Sequence, residues 1–161
     1  MGFFKNFFNK PLDVLFSPVA GKSVSITEVP DPVFAEGMLG NGIAILPSEG
    51  KIYAPCDATV DTMFETGHAV SLLTGSGAEV LIHVGIDTVI LKGRHFTVHR
   101  KNGDQVHKGD LLMEFDQAAI QEEGFNTITS MLVCNSDDFS TFKVHIGKTV
   151  TNADIILELA R

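Results

Sequence analysis

The feature that most constrains this chain is a hydrophobic period of two. Apolar and polar residues alternate in short runs at 24–26, 43–46, 60–64, 70–73, 80–84, 96–98, 111–115 and 142–146, each broken by Gly, Pro, Asn or Asp. Side chains of an extended chain point alternately to opposite faces, so each run reads as a strand with one buried face. Many short strands with frequent turns predict an all-β fold, a single-domain antiparallel β-sandwich or barrel with few short helices. Helical signal is confined to 116–123, where Asp116 can cap a brief segment that Gly124 ends, and to a turn near 34–38. The Pro-led segments 17–24 and 54–60 are weakly alike, which allows two related β-motifs, each opening with a Pro turn into a strand.

A length of 161 residues with 44% apolar content suffices for one core, so we expect one domain over 12–161 preceded by a short tail over 1–11. In the tail Phe3, Phe4, Phe7 and Phe8 take one side at helical spacing, with Lys5, Asn6, Asn9 and Lys10 on the other. Such a segment packs on the domain or lies as a foot on a membrane surface through residues 3–8. Gly2 does not open a myristoylation pattern, because Asn6 stands where Ser or Thr is required. No run reaches 18 apolar residues and no charged start leads into a continuous apolar stretch, so a cytoplasmic protein is expected, with peripheral contact at the inner membrane face through the tail.

A formal charge of -8 excludes nucleic acid as the partner, since binding phosphates needs clustered Lys and Arg, and it suits basic protein partners. Cys56 and Cys134 lie far apart and outside any C-x-x-C pattern, which excludes a disulfide framework and a four-thiolate metal site. Cys56 reads as a small buried hydrophobe.

Chemistry must come from polar groups where a β-protein should be apolar, and the six histidines are the first candidates. His95, His99 and His107 sit among Arg94, Arg100, Lys101, Asn102 and Lys108 and read as solvated surface imidazoles, while His145 alternates outward in a late strand. His83 differs: it lies in Val80-Leu81-Ile82-His83-Val84-Gly85-Ile86-Asp87, where an imidazole is costly unless partnered. Runs 68–74 and 78–84 are joined by Gly75-Ser76-Gly77 and read as a hairpin. Centring it on Ser76 makes positions summing to about 152 face each other, which brings His68, just after Thr66 and Gly67, beside Val84 and close to His83.

Two chemistries suit that constellation. In one, neutral His83 attacks phosphorus while His68 and Thr66 bind the transferred oxygens. Its reactivity would then fall as pH drops through about 6.5, the ordinary imidazole value. In the other, both imidazoles hold a zinc ion whose third ligand is a carboxylate and whose fourth is water, as in a zinc-dependent hydrolase.

The motifs run in a recognisable order: Val29-Pro30-Asp31-Pro32-Val33-Phe34-Ala35-Glu36, Gly40-Asn41-Gly42-Ile43-Ala44-Ile45, Ala54-Pro55, Phe64-Glu65-Thr66-Gly67-His68-Ala69, Leu81-Ile82-His83-Val84-Gly85-Ile86-Asp87-Thr88-Val89 and Gly103-Asp104-Gln105-Val106-His107-Lys108-Gly109-Asp110. Across nearly the whole chain this resembles the glucose-family enzyme IIA of the bacterial phosphoenolpyruvate-dependent sugar phosphotransferase system. The last motif also occurs in biotin and lipoyl carriers, but no carrier-type Met-Lys-Met turn is present.

The resemblance implies a sandwich of Greek-key or jelly-roll topology, of the duplicated hybrid-motif type, and a phosphotransferase component with a phosphohistidine intermediate. His83 would accept the phosphoryl group on Nε2 from the small carrier HPr and pass it to a cysteine of a sugar-specific enzyme IIB, with an added regulatory binding role. His68 and Thr66 would support the phosphoryl group, and the Gly85 carbonyl would orient His83. Asp31 and Asp87 would meet a basic residue of HPr, although acids beside turns often serve local backbone bonds, for Asp87 above all. Val33, Phe34, Leu39, Phe64, Leu81 and Val89 would form an apolar docking rim, though as core they are equally good and about half are expected there. No cofactor is required; zinc bridging His68 and His83 to a partner's carboxylate is the metal use left open.

Zinc peptidases of peptidoglycan on a related β-core use a His-x-His pair, and Gly85 occupies that second place here. Of the mild departures from the family pattern, Gly67 is expected to loosen the His68 turn. A start at Met1 and an end at Arg161 without a linker suggest a free-standing component serving enzyme IIB on another chain.

Overall fold

Alternation builds the strands, and burial of their shared face assembles them. The computed structural model describes residues 13–161, so the amphipathic tail and its junction with the domain lie outside the described residues. Among the described residues fourteen strands form: β1 (Asp13–Phe16), β2 (Gly21–Ser25), β3 (Asn41–Pro47), β4 (Lys51–Tyr53), β5 (Ala58–Met63), β6 (Ala69–Thr74), β7 (Glu79–Val84), β8 (Phe96–Val98), β9 (Gln105–Val106), β10 (Leu111–Phe115), β11 (Thr129–Val133), β12 (Thr141–Val144), β13 (Thr149–Val150) and β14 (Ile155–Ala160). They make an eight-stranded sheet in the order β13-β2-β3-β11-β7-β6-β5-β9 and two three-stranded sheets, β1-β14-β12 and β4-β10-β8. Every pairing is antiparallel. The fold is an all-β sandwich, as expected, and β11 crosses back between β3 and β7 far from both in sequence, in the manner of a Greek key.

The main core lies between the sheets. Ile43, Ile45, Val80, Ile82, Val84, Met131 and Val133 of the large sheet pack in one cluster with Ile52, Leu112 and Met113 of one small sheet and Ile156, Leu157 and Leu159 of the other. A second, smaller cluster of Val24, Ile26, Val29, Phe34, Ala44, Ile128 and Leu132 sits on the outer face of the large sheet. Its cover is the segment 26–36, a 3-10 turn at Ile26–Glu28 followed by helix α1 (Pro32–Ala35).

The β6–β7 hairpin has the register that the Gly75-Ser76-Gly77 turn dictates: Ala69 faces His83 and Val70 faces Ile82. Helix α2 (Gln117–Glu122) begins at Asp116, whose carboxylate accepts the Ala119 N–H at 3.1 Å. Helix α1 starts earlier than the 34–38 turn expected, because Pro32 presets a first-turn dihedral and Asp31 caps it. The alternation pattern passes over β11, all five of whose residues are buried, because a strand covered on both faces shows no alternation.

Candidate active site

On β7 the period of two sends Val80, Ile82 and Val84 into the main core and leaves Leu81 and His83 on the outer face. One cross-strand row on that face runs Ala69, His83, Ser130, Ala44, Val24. The carbonyl of His68 accepts the Val84 N–H at 2.7 Å, which makes Ala69–His83 the closer, non-hydrogen-bonded pair. An imidazole fits there because alanine stands on one side and serine on the other.

His68 precedes β6 and is buried, and its ring lies 5.1 Å from that of His83, edge to face at 85°. The Thr66 hydroxyl is hydrogen-bonded to His68 Nδ1, so Nε2 is the free nitrogen of that ring. Phe64 packs edge-on against His68 at 5.4 Å, and Phe34 lies 4.8 Å from His83 at 51°. His83 Nδ1 is buried without a hydrogen-bond partner among the described residues, leaving Nε2 as the nitrogen open to a reactant. The Gly85 backbone lies close enough to raise the basicity of His83, yet no acceptor has hydrogen-bond geometry to Nδ1. The expected Gly85–His83 pairing is therefore a juxtaposition without a formed bond. At Gly67, with φ 68, an added Cβ would lie 2.9 Å from Phe96 Cβ, so the turn that carries His68 has no room for a side chain there.

Burial pushes the His83 imidazole down to about 4, neighbouring His68 pushes the same way, and the Gly85 backbone, Asp31 and Asp87 offset this only partly. Burial likewise lowers His68. The expectation of titration near the ordinary value therefore changes, because packing on the sheet face withholds water from the charged form. His83 stays neutral and nucleophilic from pH 8 to about 5, and should show an NMR titration midpoint near 4; a midpoint near 6.5 would refute the burial argument. The sign for stability follows: from 6.5 down to about 4 the unfolded chain takes up a proton at this position that the fold refuses, so acid weakens the fold.

Asp31 and Asp87 both act on His83, with reversed local roles. The Asp31 carboxylate accepts the Val33 N–H at 3.0 Å and caps α1, whereas Asp87, left-handed at φ 59, makes no cap bond with its side chain. Of the expected rim, Val33, Leu39, Phe64 and Val89 are exposed, Leu81 is half-buried against the second cluster, and Phe34 is core. Sequence reasoning missed Met38 and Ile90, 69% and 61% exposed, the most open large apolar side chains described. Met38 lies in the turn after α1 and Ile90 in a 3-10 helix over Thr88–Leu91, so the strand period that orders the rest of the chain carries no signal for either.

The other histidines lie elsewhere and face carboxylates: His95 with Glu123, His99 with Glu114 at 2.7 Å, His107 with Asp57 at 3.7 Å and His145 with Glu158 at 2.9 Å. Cys56 packs on the core with its thiol pushed up to about 12, chiefly by burial and then by Asp57 and Asp13, which keeps it inert. Among the described residues no three His, Cys, Asp or Glu side chains converge to hold a metal. His68 and His83 supply two ligands where a resident catalytic zinc takes three from its protein.

Fold and site thus define a β-sandwich that presents two facing imidazoles on an apolar sheet face. Residues 13–139 match the family described as phosphoenolpyruvate-dependent sugar phosphotransferase system, EIIA 1. The glucose-specific EIIA component of Oceanobacillus iheyensis is 41% identical over 162 residues, covering 97% of this chain and 98% of that protein. The beta-glucoside-specific EIIBCA component of Dickeya chrysanthemi is 49% identical over 144 residues, covering 89% of this chain and only 23% of that protein. The solved glucose permease IIA from Mycoplasma capricolum superposes with a TM-score of 0.83 at 31% identity, covering 94% of this chain and 97% of that one. The chain belongs to the EIIA 1 family of the sugar phosphotransferase system, whose members carry phosphoryl groups. Nothing in these likenesses supports the zinc-hydrolase alternative.

Proposed function

We propose that neutral His83 accepts a phosphoryl group on Nε2 from the phosphohistidine of HPr and passes it to a cysteine of a sugar-specific enzyme IIB, in the cytoplasm. The observation that carries this reading is the contrast between the nitrogens of His83, Nδ1 buried and Nε2 open, beside a second imidazole that Thr66 orients. The lone pair of Nε2 attacks phosphorus as the donor P–N bond breaks, and the donor imidazole leaves neutral with its own ring proton. The proton of His83 stays on Nδ1, facing the Gly85 backbone, which offsets charge growing on the ring. His68, its Nδ1 turned to Thr66, offers Nε2 to a transferred oxygen. Positioning and charge stabilisation supply most of the rate in such transfers.

The exposed side chains Val33, Met38, Leu39, Phe64, Val89 and Ile90 suit a docking rim that keeps water from the phosphoramidate between partners. Asp31 and Asp87 supply negative charge for a basic donor protein. The name of the Dickeya relative joins EIIB, EIIC and EIIA in one component, which supports an EIIB partner.

Intact-mass measurement after incubation with phosphoenolpyruvate, enzyme I and HPr tests the reading: one acid-labile phosphoryl mass is expected, and its absence would reject it. Because no third ligand converges on the site among the described residues, EDTA treatment should leave the extent of phosphorylation unchanged; a chelator-sensitive, zinc-restored reaction would argue for a metal role.

A further inference from the structure

We propose that Phe34 is a positioning residue that decides which nitrogen of His83 receives the phosphoryl group, an inference resting on the phosphoacceptor role of His83. An imidazole on a sheet face has a broad, roughly two-fold χ2 torsion. A flip about it would carry Nδ1 out of its buried position and away from Gly85, and would move Nε2 off its line to the donor. The strand neighbours do not prevent this, because Ala69 and Ser130 are too small to grip the ring. Two rings remain: His68 meets His83 edge-on at 5.1 Å, and Phe34 meets it at 4.8 Å with a 51° tilt.

Phe34 is built to stay in place. It is 5% exposed and packs in the second cluster with Val24, Ile26, Val29, Ala44 and Leu132. Its backbone N–H donates to the Asp31 carbonyl at 3.1 Å, and the Asp31 carboxylate caps the same short helix through Val33. A side chain held by a core, with its ring against the acceptor, is a wall of the site; a residue serving docking alone would be exposed like its neighbour Val33.

Phosphoramidate tests this without any docking step: its P–N bond breaks, ammonia leaves, and the phosphoryl group goes to an open imidazole nitrogen. The Nδ1 and Nε2 isomers of phosphohistidine are then distinguished by phosphorus NMR. Wild type should give the Nε2 isomer alone at His83, Phe34→Leu a mixture containing the Nδ1 isomer, and Phe34→Tyr, which keeps the ring, the single isomer again. Should Phe34→Leu fail to fold, the exposed cap gives a second route. Asp31→Ala, which loosens α1, should yield the mixture, and Asp31→Asn, which keeps a capping oxygen, should not. A folded Phe34→Leu or Asp31→Ala protein carrying only the Nε2 isomer would overturn the assignment. That failure is distinct from failure of the phosphoacceptor role itself, in which phospho-HPr would leave the wild type unlabelled.

Discussion

His83→Ala is expected to remain folded and to lose the acid-labile phosphoryl mass completely, whereas His68→Ala keeps the mass but acquires it about 10²-fold more slowly. The first loss is total because Nε2 of His83 forms the bond itself. Folding should survive because the substitution also removes a buried, unpartnered Nδ1, whose desolvation offsets part of the lost packing. His68 acts at one remove, steadying charge through a nitrogen that the Thr66 bond leaves free, so its loss slows transfer without abolishing it. Rapid-quench phosphorylation by phospho-HPr, followed by intact mass, separates the two. An undiminished adduct in His83→Ala would place the acceptor elsewhere, with His68 the first alternative.

Gly85→Ala should be a strongly damaging single-methyl change beside His83, costing about 2–4 kcal/mol and lowering Tm by about 10 °C. Its φ of 78 lies in the left-handed region, and an added Cβ would stand 2.5 Å from Thr88 Cγ2 and 2.7 Å from the Asn126 carbonyl oxygen. Neither neighbour can yield. Thr88 is fully buried with its hydroxyl bonded to the Val84 carbonyl, and the Asn126 carbonyl accepts the Ile86 N–H at 3.0 Å. Gly103→Ala is the control, since Gly103 has φ 89 but no atom within 4 Å of its would-be Cβ. That change should cost only the left-handed penalty, about 1 kcal/mol. Equal melting temperatures for the two variants would show that the turn after His83 adapts, and that the close packing there does not hold the site.

Legibility followed the range of the interactions. The approach of His68 to His83 was readable only in part: three turn residues set the hairpin register, but the two-fold period alone would send His68 with Val84 toward the core, and it is the bend before β6 that brings His68 to the face of His83. The capped helix at Gln117–Glu122 was readable because its start and stop are local. Strand β11 was not, since its five buried residues carry no alternation, and neither was its place between β3 and β7. Asp31 and Asp87 looked alike as acids beside turns, and only the backbone directions showed Asp31 as the one that caps a helix. Phe34 and Val33 are adjacent apolar residues of one motif, and only packing separates a buried wall of the site from an exposed rim.

The sequence by itself determined the all-β class, the register of the hairpin beside the two histidines and, through its motifs, the family. Tertiary structure alone decided that His83 is held neutral with one nitrogen buried and the other open. That property comes from desolvation by groups distant along the chain, Phe34 from one side and the β11 strand from the other, and no local pattern records which distant segments will cover a given side chain.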